Sequence, residues 1–178
     1  PGNLHKKWMN VNVHELFSEV TGLPVTVIND ADAAGYAAMN YGIGKGKDGF
    51  VLMITIGTGL GSGAFLDGEL IPNMELGQIP YKKHKKIEHW AAASAKERED
   101  LSYAQWGKRF NTFLKLVDLI ISPDLIILGG GTSKKLDEFK DYITIDTPVI
   151  AAGLQNYAWI MGAAAAALHQ APKDFVKP

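Results

Sequence analysis

The stretch Ile54-Thr55-Ile56-Gly57-Thr58-Gly59-Leu60-Gly61-Ser62-Gly63 sets four glycines at alternate positions directly behind the apolar run 50–54. Without a Cβ, glycine takes positive φ and lets a phosphate approach bare backbone N–H groups, while Thr55 and Thr58 offer hydroxyls to phosphate oxygens or to metal-bound water. The same string also suits a plain β-hairpin, because 63–70 reads as a strand ending in an Asp67-Gly68 turn. Three further groups follow apolar runs: Asn29-Asp30 after 25–28, Glu75-Leu76-Gly77-Gln78 after the hairpin, and Gly129-Gly130-Gly131-Thr132-Ser133 after 125–128. In an open α/β sheet, turns at strand ends gather into one crevice. A carboxylate beside two glycine turns suits phosphoryl transfer, which needs a phosphate cradle and a group to receive the acceptor hydroxyl's proton. Taken alone, Asp30 reads more readily as the N-cap of the following helix than as a base.

The elements that must position these groups are legible from pattern. A helix is predicted over 13–20 with Asn12 as N-cap and Gly22 past its end, then a β-branched strand over 25–28 and an alanine-rich helix over 31–41 stopped by Gly42. After the hairpin comes an irregular segment, 71–86, that includes the basic run Lys82-Lys83-His84-Lys85-Lys86. A short helix over 88–96 follows. Ser102 and Gln105 form the pattern of a capping box for a long helix whose apolar residues Trp106, Phe110, Phe113, Leu114, Val117, Ile120 and Ile121 recur at three- and four-residue steps up to Ser122-Pro123. A buried strand over 125–128, a helix over 134–140, a strand over 148–151 and an apolar helix over 157–169 complete the pattern. The aromatic face of Trp106, Phe110 and Phe113 reads as core or as a dimer contact. The lysine run reads as a solvated loop or, beside Glu75, as a place to meet a polyanion.

Composition narrows the partners. At 178 residues and 47% hydrophobic content the chain can bury a sizeable core. A formal net charge of −1 offers no global field for nucleic acid or acidic membrane, so an anion site must be built locally. The absence of cysteine excludes disulfides, thiolate metal sites and cysteine nucleophiles. His84 and His89 lack partners at metal-ligand spacing. No apolar run approaches the roughly 18 residues of a membrane span, and cytoplasm is the expected location.

The ordered series Val27-Ile28-Asn29-Asp30-Ala31-Asp32-Ala33-Ala34-Gly35, Thr55-Ile56-Gly57-Thr58-Gly59-Leu60-Gly61, Asp67-Gly68-Glu69-Leu70, Glu75-Leu76-Gly77 and Leu128-Gly129-Gly130-Gly131 resembles the ROK sugar kinases. Residues 88–101, Ser122-Pro123-Asp124, Thr147-Pro148-Val149 and Leu154-Gln155-Asn156 are similar to the polyphosphate glucokinase branch of that family. The resemblance implies an actin-like ATPase (ribonuclease H-like) α/β fold. On it, 1–40 would be a remnant of the first lobe, 41–155 the second lobe with the sugar and phosphate site, and 156–178 a C-terminal helix packing back toward the first lobe.

The resemblance also implies roles. Asp30 would be the general base, Asn29, Asp30, Glu75 and Gln78 would bind glucose or a similar hexose, and Thr55, Gly57, Thr58, Gly59, Gly129, Gly130, Gly131 and Ser133 would hold the donor, ATP or polyphosphate with Mg²⁺. A homodimer is implied, with no nucleic acid or membrane partner and no metal held by protein side chains. Asp32, in the first helical turn, is expected to serve the helix dipole rather than chemistry. Three departures from the family pattern stand out. Gln78 replaces a histidine and cannot carry positive charge, the cysteine-rich zinc motif is missing so that no zinc is expected, and no Asp-x-Gly-Gly phosphate loop precedes Trp8, so weak kinase activity is expected of the isolated chain. The alternatives are a non-catalytic sugar-binding or regulatory module and a dimerising fragment.

Overall fold

The computed structural model describes residues 5–153 and 157–170. Five strands form one sheet in the order β3-β2-β1-β4-β5: β1 (Phe50–Ile56), β2 (Leu60–Leu66), β3 (Glu69–Ile71), β4 (Leu125–Gly129) and β5 (Val149–Ala151). β1 to β3 form an antiparallel meander, while β4 runs parallel to β1 and β5 parallel to β4. This mixed order, with helices on both faces, is that of the actin-like ATPase fold.

The pleat of the central strands sorts the core. Leu52, Ile54, Ile56, Ile126 and Leu128 face α5 (Tyr103–Ile121) and meet Trp106, Phe110, Phe113, Leu114 and Val117 in one cluster. Val51, Met53, Leu125 and Ile127 face the other way, onto α2 (Asp30–Tyr41) and α6 (Ala158–Gln170). Both faces of β1 and β4 are therefore covered, which is why these strands read as unbroken apolar runs. The capping box that opens α5 is formed: Gln105 N–H donates to Ser102 Oγ at 3.2 Å and Ser102 N–H to Gln105 Oε1 at 2.9 Å. The aromatic face of α5 is core, not a dimer contact; of the apolar residues expected on it, Ile120 is exposed, while Ile121 still packs against the cluster.

Several expectations are corrected. Residues 25–28 form no strand among the described residues, because their backbone has no ladder to join, and Val27 is exposed. The cap of α2 is Asn29, whose Oδ1 accepts from Ala31 and Asp32 N–H at 2.8 and 3.4 Å; Asp30 is the first helical residue. Only Gly57–Gly59 form the first turn, since Gly61 and Gly63 lie inside β2, against α2. The single helix expected over 88–96 is two, α3 (Glu88–Ala91) and α4 (Ala93–Arg98), broken at an extended Ala92. Trp106 Nε1 donates to the carbonyls of Ala91 and Ala92 at 2.9 and 3.1 Å, which satisfies the break. The helix expected over 134–140 is a kinked 3-10 segment, Gly131–Glu138.

α1 (Val13–Thr21) has its predicted caps, with Asn12 Oδ1 accepting from Glu15 N–H and Gly22 left-handed at φ 67°. The expected 155/156 boundary and the Leu154-Gln155-Asn156 motif lie outside the described residues. No helix among the described residues is long and apolar enough to cross a membrane.

Candidate active site

Two adjoining cavities open where the C-terminal ends of β1 and β4 meet the start of α2. The larger, about 1190 Å³, is lined by Asn29, Asp30, Thr55, Gly57, Thr58, Gly59, Glu75, Gln78, Gly130 and Gly131, together with Lys86 and Glu88. The smaller, about 650 Å³, is lined by Asp30, Thr55, Gly129, Gly130, Gly131 and Ser133, with Met53, Lys134 and Trp159. Every residue predicted from sequence to bind sugar or donor thus lines one cavity or the other. Asp30, Thr55, Gly130 and Gly131 line both, so the carboxylate stands at their junction.

Local structure explains these positions. The Asn29 cap turns the chain into α2 and leaves Asp30 as the exposed residue of an otherwise buried first turn, where its Oδ1 accepts from Ala31 N–H at 2.8 Å. Ser94, at the start of α4, donates its hydroxyl to Thr58 O at 2.6 Å and its N–H to Gly57 O at 3.4 Å, so the break at Ala92 lets α4 tie down the first glycine turn. Gly130 sits at φ 79° with its α-carbon against the backbone of Ile56; a side chain there would collide with that strand. Ser133 Oγ donates back to Gly130 O at 2.8 Å and closes the second turn.

Glu88 escaped the sequence reading. Its Oε2 accepts from Leu60 N–H at 3.3 Å, and its Oε1 meets Gln78 Nε2 at 3.4 Å and Lys86 Nζ at 3.5 Å. A carboxylate that ties the strand after the glycine turn to Gln78, while facing the larger cavity, has the disposition of a ligand for polyhydroxylated molecules. Its only signal in the sequence was an acidic residue opening a helix, which is usually a dipole device. Lys86 also enters the cavity, whereas Lys82 lies over the rings of Tyr81 and Trp90, so the lysine run does not act as one patch.

Asp32 stands in the first turn of α2, as expected, and is buried there. It is 1% exposed, Oδ2 accepts from Asn73 N–H at 3.3 Å, and Oδ1 has no partner among the described residues. Burial raises its pKa above the ordinary carboxylate range, opposed by the Asn73 bond and reinforced by the charges of Glu75 and Asp30.

An actin-like sheet with glycine turns and a carboxylate at one crevice narrows the class of protein, and comparison with known proteins sharpens it. The ROK family model matches residues 3–87. A polyphosphate glucokinase of Mycobacterium tuberculosis is 42% identical over 167 residues, 93% of this chain and 63% of that protein. The crystal structure of an inorganic polyphosphate/ATP-glucomannokinase from Arthrobacter sp. strain KM superposes with a TM-score of 0.88 at 42% identity, covering 96% of this chain and 67% of that one. A ROK glucokinase of Streptomyces griseus, solved with glucose and AMPPNP, shares the fold with a TM-score of 0.75 at 23% identity, covering 88% of this chain and 72% of that one. The chain belongs to the ROK family. It spans just under two thirds of the length of the mycobacterial relative.

Proposed function

We propose that this chain carries the sugar and donor surfaces of a cytoplasmic, glucokinase-type sugar kinase that moves a phosphoryl group from ATP or polyphosphate to the primary hydroxyl of glucose. The observation that carries the reading is the position of Asp30 at the junction of a cavity lined by hydrogen-bonding side chains and one lined by glycine turns. In this reading Asn29, Glu75, Gln78 and Glu88 hold the ring hydroxyls, and Asp30 receives the proton of the hydroxyl under attack. Backbone N–H groups of Gly57–Gly59 and Gly129–Gly131, with the Thr55, Thr58 and Ser133 hydroxyls, hold donor phosphates. In the same reading residues 1–40 belong to the first lobe, 41–155 to the second, and 156–178 to a helix returning toward the first.

Transfer through a loose transition state places little demand on base strength, so Asp30 acts mainly by orientation. Mg²⁺ on the donor phosphates would neutralise charge developing there. Among the described residues no three acidic or imidazole side chains gather into a cage, and Thr55 and Asp30 suit an ion that keeps most of its ligands as phosphate and water. Self-association as a homodimer is part of the same reading and is checked by sedimentation.

The test is glucose phosphorylation by the purified chain with ATP and then with polyphosphate, alongside calorimetric titration with glucose. The reading expects saturable glucose binding and donor-dependent formation of a sugar phosphate. A chain that neither binds nor phosphorylates glucose would sink it.

A further inference from the structure

We propose that Asp32 and Ser62 are positioning residues for Glu75, two buried polar side chains that clamp segment 73–76 from opposite faces of the sheet and so fix the Glu75 carboxylate in the larger cavity. The inference rests on the reading of Glu75 as a sugar ligand. Three polar side chains are buried among the described residues: Asp32, Ser62 and Ser133. Ser133 closes the second glycine turn, and the other two both bond the backbone around Glu75. Ser62 Oγ donates to Met74 O at 2.8 Å and accepts from Leu76 N–H at 2.9 Å, bracketing Glu75 on both sides. Asp32 Oδ2 accepts from Asn73 N–H at 3.3 Å, two residues before Glu75.

Ser62 lies on the face of β2 that carries Leu60 and Ala64 toward α5, while Asp32 comes from α2 on the other face. Segment 73–76 follows the edge strand β3 and is bonded from both sides, by Asp32 at Asn73 and by Ser62 at Met74 and Leu76, with Glu75 between. The segment leaves the sheet after the three-residue edge strand β3, and although Leu76 is buried, Asn73 and Glu75 are exposed and have no strand ladder to hold them. The helix dipole favours an acidic residue in this first turn, but burial works against it: Asp32 interrupts a run of buried alanines with a carboxylate that has one long hydrogen bond and, among the described residues, one unpartnered oxygen. A side chain kept at such a cost is explained by what it holds. Because Asp32 stands two residues from Asp30 on the same helical turn, it also fixes the Glu75 segment relative to the proposed base.

The experiment compares the 178-residue chain with Asp32→Ala, Ser62→Ala and Asp32→Asn, by calorimetric titration with glucose and by amide hydrogen exchange without sugar. In both alanine variants, exchange at the Asn73 or Leu76 amide should quicken while Met53 and Ile127 in the central strands keep their protection. Glucose affinity should fall about tenfold, the scale of loss when a supporting shell lets a ligand drift. Asp32→Asn keeps an acceptor oxygen for Asn73 and should stay within about twofold of the parent, a rescue that a role resting on the negative charge would not produce, while the quickened Asn73 amide in Asp32→Ala separates the bond from mere packing. Unchanged exchange at both amides, or faster exchange with unaltered glucose affinity, would overturn the proposal. If the parent takes no glucose, the kinase reading falls, and exchange at Asn73 and Leu76 alone decides whether the clamp exists.

Discussion

Asp30 and Glu88 both face the larger cavity, yet their loss should be felt in different constants. Asp30 is exposed on the first turn of α2 with one oxygen already held by Ala31 N–H, so Asp30→Asn preserves shape and removes only the proton acceptor. In any form of the protein that turns over glucose, kcat should fall by about 10²- to 10⁴-fold, the range for losing a general base, with sugar affinity little changed. Near-parental turnover would remove Asp30 from that role. Glu88→Gln keeps the size of a side chain that bridges Leu60, Gln78 and Lys86 but loses its charge. Bonds to a charged group contribute ~1.5–3 kcal/mol, so glucose affinity should weaken about tenfold or more, read by calorimetry. An unaltered dissociation constant would show that Glu88 only ties Leu60 to Gln78.

At the scale of elements, the packing of α6 on α2 gives a sharp test. A Cβ on Gly162 would fall on the carbonyl oxygen of Ala33 and 3.0 Å from Ala37 N, both backbone atoms that cannot turn aside. Gly162→Ala gains about 1 kcal/mol of helix propensity but must push the helices apart, so a net loss of about 1–3 kcal/mol is expected in urea unfolding. A stabilised variant would mean that the two helices separate easily. Where an element carries its own code, the sequence disclosed it: the Asn12, Ser102 and Gly22 caps, the unbroken apolar runs of β1 and β4, and the Asp67-Gly68 turn all lie where pattern put them. It failed where the deciding contact is remote. Strand propensity in 25–28 goes unused without a neighbouring ladder, and the break at Ala92 depends on an indole fourteen residues away. The candidate site followed the same rule. Its glycines, Asn29 and Asp30 were visible as local motifs, whereas Glu88 and the buried state of Asp32 exist only through contacts between segments.

Over the whole molecule, two carboxylates should give stability opposite slopes with pH. Glu99 is bound by Arg109 and Arg98 at 2.7 and 2.8 Å, and these bonds hold its pKa at about 2. The folded chain therefore releases this proton more readily than the unfolded one, so the stabilisation is present above the unfolded value of 4.5 and is lost as pH falls toward 2. Being partly exposed, the pair should contribute modestly and less at high salt. Asp32 acts in the other sense. Burial raises its pKa, the folded chain binds that proton more tightly, and stability should decline as pH climbs from the ordinary carboxylate range through the raised value. Asp32→Asn should therefore stabilise the chain more at pH 8 than at pH 3, and Glu99→Gln should flatten the acid limb, both measured by urea unfolding across pH 2–8. An Asp32→Asn effect of equal size at every pH would show that its carboxylate titrates as it does in the unfolded chain. A variant that gains stability at neutral pH while still holding Asn73 would separate what the buried charge costs the fold from what its oxygen does for the site, which a variant that loses both cannot do.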